Sequence, residues 1–278
     1  MAVDLHTHSR VSDGSDSPTE LVANAVSARL NALALTDHDT LDGLEEAQAA
    51  ADLAGVRLIR GVELSLEWTR GGMHMVVLFL SPEGLLQDRL ADLQVARQTR
   101  NDRMIVLLQS LGYDITMEEL IEESGGGVVG RPHMAAILVG KGYFPDPPAV
   151  FDELLATGRP GYLGRERLDP EEAIRLARAS GGVPIIAHPH TLGLDTAAEY
   201  AEAMETLATA GLAGIECYYG DYARAQQEEL AKTTRRFGLI PSGGSDYHGT
   251  YKEGLELGTG RGELLVPDHV LEELEANR

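Results

Sequence analysis

Seven short runs rich in Val, Ile and Leu, separated by longer stretches with helical patterning, constrain this chain more than any other feature. They cover residues 2–6, 31–36, 56–64, 75–80, 183–187, 214–219 and 239–242. Alternation of strand-length apolar runs with helices predicts an α/β fold built on a parallel sheet or barrel. Ser17-Pro18-Thr19-Glu20 marks one helix start with a cap, a first-turn proline and an early acid. Between residues 83 and 165 the rhythm changes to helical patterns with a glycine run at Gly125-Gly126-Gly127 and no convincing core strand. The expected organisation is therefore a barrel of residues 1–82 and 166–278 carrying a helical insertion of residues 83–165.

Composition limits the function classes. With 43% hydrophobic and 24% charged residues among 278, the chain can bury a sizeable core. The single cysteine, Cys217, excludes an internal disulfide, and the polar start from Met1 to Asp4 leaves no room for a signal segment, so a cytoplasmic location is expected. The most apolar run, Met75 to Leu80, is far shorter than the about 20 residues a bilayer demands, so no membrane partner is expected. A formal charge of −21 argues against a sequence-independent binder of duplex nucleic acid. It leaves a phosphate substrate open, because a local cationic site can dominate an acidic exterior when charges are screened over about 8 Å.

The candidate chemistry gathers at the ends of the apolar runs. His6 and His8 are two apart, as are Asp246 and His248, and His188 and His190. In a strand such spacing turns both side chains to one side. His38 follows the run ending at Thr36, and Glu63 follows Leu58-Ile59. In a barrel these ends meet at one rim, where sites are built. Imidazoles and carboxylates without thiolates suit Zn²⁺, Mn²⁺ or Fe²⁺, and Glu63 can bridge two ions. A lone histidine is ordinarily a hydrogen-bonded core or surface residue; the joint pattern outweighs that reading here. His74 has positional support only, with a buried strand histidine as its alternative. Asp37 and Asp39 either orient ligands from behind or solvate a loop.

In this order, His6-Thr7-His8, Ser12-Asp13-Gly14, Thr36-Asp37-His38-Asp39, Gly61-Val62-Glu63, Ala187-His188-Pro189 and Ser245-Asp246-Tyr247-His248 resemble the motifs of the PHP (polymerase and histidinol phosphatase) family. The resemblance spans nearly the whole chain. It implies a distorted, TIM-like (βα)₇ barrel whose active site is capped by the insertion, binding two or three divalent ions (Mn, Fe or Zn). Carried over by position, it gives His6, His8, Glu63 and Asp246 to a first ion, Glu63, His74 and His188 to a second, and Asp13, His38 and His248 to a third. Three such ions against three carboxylates leave a formal charge of roughly +3, which draws in an anionic ester. The implied nucleophile is a metal-bridged hydroxide attacking phosphorus in line.

Within the insertion, Gly130-Arg131-Pro132-His133 resembles the Arg-x-His element of the nucleotide-directed branch. Arg131 would grip phosphate oxygens, and His133 would bond the substrate or assist the leaving oxygen. The alternative is a plain helix start, which Pro favours. Arg97, Arg100 and Arg103 recur every three residues; a solvated face is the common meaning of such a stripe, and Arg97 and Arg100 are carried as contacts for a second phosphate or nucleotide tail. His190 falls outside the ligand pattern and is expected at the rim or on substrate, His269 at the surface. Cys217 has no nucleophile signature. The expected reaction is hydrolysis of a phosphomonoester on a small nucleotide, a 3′,5′-bisphosphonucleoside or nucleoside monophosphate. Alternatives are stepwise cleavage of short oligonucleotides, hydrolysis of histidinol phosphate, and a non-catalytic metal-stabilised module.

Overall fold

Each of the seven apolar runs overlaps a strand. In this computed structural model, which describes residues 2–125 and 129–278, they are β1 (Val3–Asp4), β2 (Ala32–Leu35), β3 (Arg57–Ser65), β4 (His74–Leu78), β5 (Val183–Ile186), β6 (Gly214–Tyr219) and β7 (Ile240–Gly244). They form one sheet in chain order. Beyond the regular strands, Thr7 bridges Tyr247 in parallel, the Asp246 amide donates to the His6 carbonyl at 2.9 Å and the His8 amide to the Tyr247 carbonyl at 2.9 Å. The first strand thereby meets the last, and the sheet is nearly closed as a barrel.

The sheet is mixed, which corrects the expectation of parallel strands throughout. β4 runs antiparallel to both β3 and β5. The cause is the link from Ser65 to His74, which spans only residues 66–73. A parallel return demands a crossover of about a dozen residues or more.

Barrel and helices occupy two faces of the same strands. Val3, Leu5, Ala34, Ile59, Val76, Leu78, Ile185 and Ile240 form one buried cluster, joined by Val270 and Leu274 of the last helix, α10 (Asp268–Glu275). On the other face, Leu33 and Leu35 of β2 meet α1 (Pro18–Ser27) and α2 (Leu44–Ala54) through Leu21, Val22, Ala25, Leu44, Ala47 and Ala51. Each such buried Leu contributes about 1.5–3 kcal/mol. The start of α1 is a capping box: Ser17 accepts from the Glu20 amide, and Glu20 accepts from the Ser17 amide at 2.8 Å.

The chain divides into two compact units, residues 1–90 with 167–278, and residues 91–166. The boundary falls inside α3 (Leu85–Ser110). The second unit continues with α4 (Met117–Glu123), α5 (Arg131–Gly140) and α6 (Pro147–Val150) and holds no strand among its described residues. It has its own core of Met104, Leu108, Ile115, Leu120, Met134, Leu138, Leu154 and Leu155. Gly126 and Gly127 of the glycine run lie outside the described residues. The first unit ends with α7 (Pro170–Ala179), α8 (Ala197–Ala210), α9 (Arg224–Arg236) and α10. Among the described residues no helix is long and apolar enough to cross a membrane.

Candidate metal centre

The site is organised around one carboxylate. Side chains two apart on a strand share a face, so Ile59 of the barrel core, Gly61 and Glu63 lie in one row that ends near the rim. Glu63 is fully buried. Five imidazoles converge on it: Nε2 of His6 and of His8 lie 3.1 Å from its Oε2 and Nδ1 of His38 lies 3.2 Å away. Its Oε1 is 3.1 Å from His74 Nδ1 and 2.9 Å from His188 Nε2. The rings close a circuit, His6 to His8 to His38 to His74 to His188 and back, with neighbouring centroids 4.8–5.8 Å apart.

The reversal of β4 explains how His74 joins this group. His74 begins its strand, whereas Glu63 lies near the end of β3 and the other candidates follow their strands. Antiparallel pairing sets it opposite Ser65 at the end of β3, so the start of β4 lies at the same rim as the ends of its neighbours.

The remaining three candidates extend the cluster. Asp246 Oδ1 is 3.6 Å from His6 Nε2, 3.3 Å from His8 Nε2 and 3.4 Å from His248 Nδ1. Asp13 faces His8 at 3.5 Å, His38 at 3.6 Å and His248 at 3.4 Å. Three sets of ligand atoms are close enough to share an ion: His6, His8, Glu63 and Asp246; His8, Asp13, His38 and His248; and His38, Glu63 and His74. His8 and His38 each enter two sets, and His188 stands beside them on Glu63. The inner end is dry, with the side chains of His6, His8 and Glu63 no more than 1% exposed, while that of Asp13 is 51% exposed. Asp13 is the most exposed of the candidates, with His74 at 32% and His38 at 22% also open to solvent.

The donor set fits divalent cations on its own evidence. His6 Nε2, both nitrogens of His8, His38 Nδ1 and Glu63 Oε2 are buried with no hydrogen-bond partner. A carboxylate has about four lone-pair directions and cannot satisfy five imidazoles. Buried polar atoms left so cost several kcal/mol unless a cation takes their lone pairs. Burial opposes a charge on His8, but Asp246 and Glu63 outweigh it and push its pKa up to about 10. Burial likewise opposes a charge on His6, yet Glu216, Glu63 and Asp246 hold it well above the usual imidazole range. His38 goes the other way, pushed down to about 4 chiefly by burial, and so offers a neutral ring. Burial also disfavours ionised Glu63, but the surrounding histidines, led by His38 and His6, hold it well below the carboxylate range.

Backbone strain concentrates here. Among the described residues, five other than glycine have positive φ, and three of them are Asp39, His188 and Asp246, at 53°, 23° and 57°. Such conformations cost about 1–3 kcal/mol each and persist where surrounding contacts enforce them.

Those contacts come from the motif residues Asp37 and Asp39 and from residues outside the motifs, Asp4, Glu216, Tyr219 and Lys252. Asp37 accepts from the Ser9 amide at 2.8 Å, from Ser9 Oγ at 2.7 Å and from Ser12 Oγ at 2.7 Å, fixing the loop before Asp13. Asp39 accepts from the Ser65 amide at 2.8 Å. Asp4 takes the amides of Ser245 and Gly258, each at 2.8 Å, and so holds the turn before Asp246. Asp246 Oδ2 accepts from Tyr219 at 2.8 Å and from Lys252. Glu216 reaches His6 Nδ1 at 2.9 Å and the His188 amide at 2.7 Å. Sequence reasoning missed Asp4, Glu216, Tyr219 and Lys252; the available signal was an acid inside an otherwise apolar strand, at Asp4 and at Glu216. His190 sits in the turn Pro189–Leu192 with Nδ1 2.7 Å from the Tyr222 hydroxyl, and His269 is exposed near Glu273.

In the second unit Arg131-Pro132-His133 forms the first turn of α5, as its helix-start reading expects. Arg131 donates to the Leu155 carbonyl at 3.0 Å with its guanidinium 5.2 Å from the Tyr162 ring centroid. His133 Nδ1 accepts from the Gly130 amide at 3.1 Å. The arginine stripe does not share one environment: Arg103 is exposed, whereas Arg100 is buried with Nε on the Leu163 carbonyl at 2.8 Å.

A nearly closed α/β barrel with a His, Asp and Glu centre at one rim defines a class, that of barrel hydrolases built around divalent ions. The chain belongs to the PHP domain family, whose model matches residues 4–156. It is 33% identical to a 3′,5′-nucleoside bisphosphate phosphatase of Chromobacterium violaceum, over 92% of this chain and 90% of the relative. It is 34% identical to a 5′-3′ exoribonuclease of Haemophilus influenzae, over 88% and 89%. Among solved structures, an amidohydrolase of C. violaceum with bound sulfate superposes with a TM-score of 0.80 at 31% identity, covering 100% of this chain and 97% of that one. A Bifidobacterium adolescentis protein provisionally named a metal-dependent phosphoesterase gives 0.79 at 28%, over 99% and 96%.

Proposed function

We propose that this chain hydrolyses a phosphomonoester of a small nucleotide, a 3′,5′-bisphosphonucleoside or a nucleoside monophosphate, using two or three divalent ions of Mn, Fe or Zn. It is a hydrolase of phosphoric esters. The observation that carries the reading is the convergence of five imidazoles on Glu63, with buried nitrogens of His6, His8 and His38 lacking hydrogen-bond partners. Glu63, His6, His8 and Asp246 would hold one ion, His74 and His188 would hold a second with Glu63, and Asp13, His38 and His248 a third. Bound divalent ions supply Lewis-acid stabilisation of phosphoryl oxygens and lower the pKa of water.

The protein's own part is to fix these donors at the dry end of the site and keep the Asp13 side open to substrate. Tyr219 and Lys252 hold the outer oxygen of Asp246, leaving Oδ1 directed at the imidazoles. Arg131 and His133 are assigned to the substrate on their motif resemblance, with His133 available to assist the leaving oxygen, and His190 on its place beside His188. Arg97 stays assigned to a second phosphate. Arg100 keeps that assignment on the resemblance alone, its Nε being held by Leu163. The placement of Arg97, Arg100, Arg131 and His133 on the 91–166 unit makes that unit the proposed source of specificity.

The name of the H. influenzae relative supports a second reading, stepwise cleavage of short RNA from its 5′ end. Both readings are tested by metal-reconstituted turnover on mononucleotides, bisphosphonucleotides, short RNA and histidinol phosphate. Preference for bisphosphonucleotides is expected; processive loss of nucleotides from RNA with no monoesterase activity would select the second. His38→Ala should lose activity on every substrate, and unchanged turnover would sink the metal assignment. Arg131→Ala should raise KM by about tenfold or more with unchanged metal content, as loss of a charged hydrogen bond of about 1.5–3 kcal/mol implies; unaltered kinetics on all substrates would remove Arg131 from recognition.

A further inference from the structure

Glu216 is a buried carboxylate to which the proposed chemistry gives no task. Its two oxygens serve two different candidate ligands. Oε1 lies 2.9 Å from Nδ1 of His6, and Oε2 accepts the main-chain N–H of His188 at 2.7 Å. His188 has φ of 23°, so its N–H is anchored where the backbone is strained.

The strand is built to deliver this carboxylate. Residues two apart on a regular strand share a face, yet Glu216 and Tyr219, three apart, both reach the centre. The register shows how: Glu216 pairs with Ser242 and Tyr218 with Gly243, so Cys217 is skipped in a bulge. Bulges re-aim side chains in this way. Cys217 turns aside to Thr234, and Tyr219 returns to the rim to hold Asp246.

A carboxylate ion only accepts hydrogen bonds. Against Glu216, His6 must therefore present Nδ1 as the N–H donor, which in the neutral ring that binds metal leaves the lone pair on Nε2, the nitrogen facing Glu63 and Asp246. We propose that Glu216 is a positioning residue that fixes the metal-binding tautomer of His6 and locks the His188 backbone, so that one carboxylate prepares ligands of two neighbouring ions. This rests on the metal-centre reading above.

The test is Mn²⁺ binding to metal-stripped protein, followed by titration calorimetry with elemental analysis of occupancy, on wild type, Glu216→Gln and Glu216→Asp. Glutamine has nearly the same shape but one acceptor and one donor. If its oxygen keeps the His188 amide, its NH₂ faces His6 Nδ1 and drives the proton onto Nε2; if it turns over, two N–H groups oppose each other at His188. Positioning therefore predicts that Glu216→Gln loses about 10- to 100-fold in affinity, while Glu216→Asp, still acceptor-only, retains more. A space-filling role predicts the reverse order, with isosteric Gln mild and shorter Asp severe.

Unchanged affinity in Glu216→Gln, or that reverse order, would overturn the proposal while leaving the metal centre intact. No Mn²⁺ binding by wild type would instead sink the metal centre itself. Circular dichroism checks the fold. Should the Gln chain be unfolded, Glu216→Asp is compared with Glu216→Met, which fills the volume without an acceptor: tighter Mn²⁺ binding by Asp than by Met supports positioning, and equal or tighter binding by Met overturns it.

Discussion

Glu63 concentrates the chemistry of the molecule in a single side chain. Replacing it with Gln keeps the volume but removes the charge shared by five imidazoles and sets an NH₂ against them. Metal content and turnover should both fall more than about 100-fold, since even outer partners of ligands are worth about 10- to 100-fold. Elemental analysis and steady-state rates read this out; retention of both would mean that Glu63 only fills space. Cys217 offers a contrast. Burial pushes its thiol up to about 12 against the opposing bond from Thr234, so the folded chain holds a neutral thiol where an unfolded one ionises near 9. Folding stability is therefore insensitive to this group below about pH 9 and falls progressively from there toward pH 12, as ionisation increasingly favours the unfolded chain. At pH 8 a thiol reagent should leave native protein unlabelled and react fully after denaturation; labelling of native protein at the denatured rate would contradict the burial. What was legible at this scale was the motif-borne residue. Glu216 was not, because its meaning depends on a bulge that places positions 216 and 219 on one face, against the two-residue period a reader must assume.

At the scale of elements, seven apolar runs sufficed to expect seven strands, because runs of that length close to turns have few other folds available. Direction was not readable. Side-chain pattern is the same for a strand traversed either way, and only the length of the link from Ser65 to His74 carried the reversal of β4. The same limit applies to His6 and His8: regular pairing of β1 stops at Asp4, so both lie past the strand and are held by the bridge to Tyr247 instead. That closure is tight. A Cβ on Gly244 would lie 2.5 Å from the His6 Cβ and 2.5 Å from its amide nitrogen. Gly244→Ala must therefore separate β7 from β1 at the candidate ligand itself. Overpacking of this kind costs about 1–3 kcal/mol, and the strain falls on His6, so a lower melting temperature should come with weaker Mn²⁺ binding. Gly140→Ala, where nothing lies within 4 Å of the added carbon, is the control and should leave Mn²⁺ binding unchanged. A loss of stability in Gly244→Ala with wild-type Mn²⁺ affinity would separate the strand closure from the site.

Across the whole molecule, a net charge of −21 has to be reconciled with an anionic substrate. The two act over different distances. At about 0.01 M ionic strength the screening length is about 30 Å, so an approaching nucleotide meets the acidic exterior; at 0.15 M it is about 8 Å, and only the charges lining the site are felt. With two or three ions bound, the local charge is positive and survives screening because the inner donors are dry. For a small nucleotide, added salt should therefore relieve long-range repulsion faster than it weakens the final contacts, and kcat/KM at low substrate should rise modestly between 10 and 150 mM salt, by an amount on the order of a few fold. An oligonucleotide held along a basic groove behaves oppositely, because each neutralised phosphate releases counterions and binding falls steeply with salt. Measuring both substrates on the same Mn²⁺-loaded protein, at fixed free metal, separates the two proposed activities through the sign of the slope. A steep fall for the mononucleotide would show that an extended cationic surface governs its capture, which an exterior of this charge does not supply.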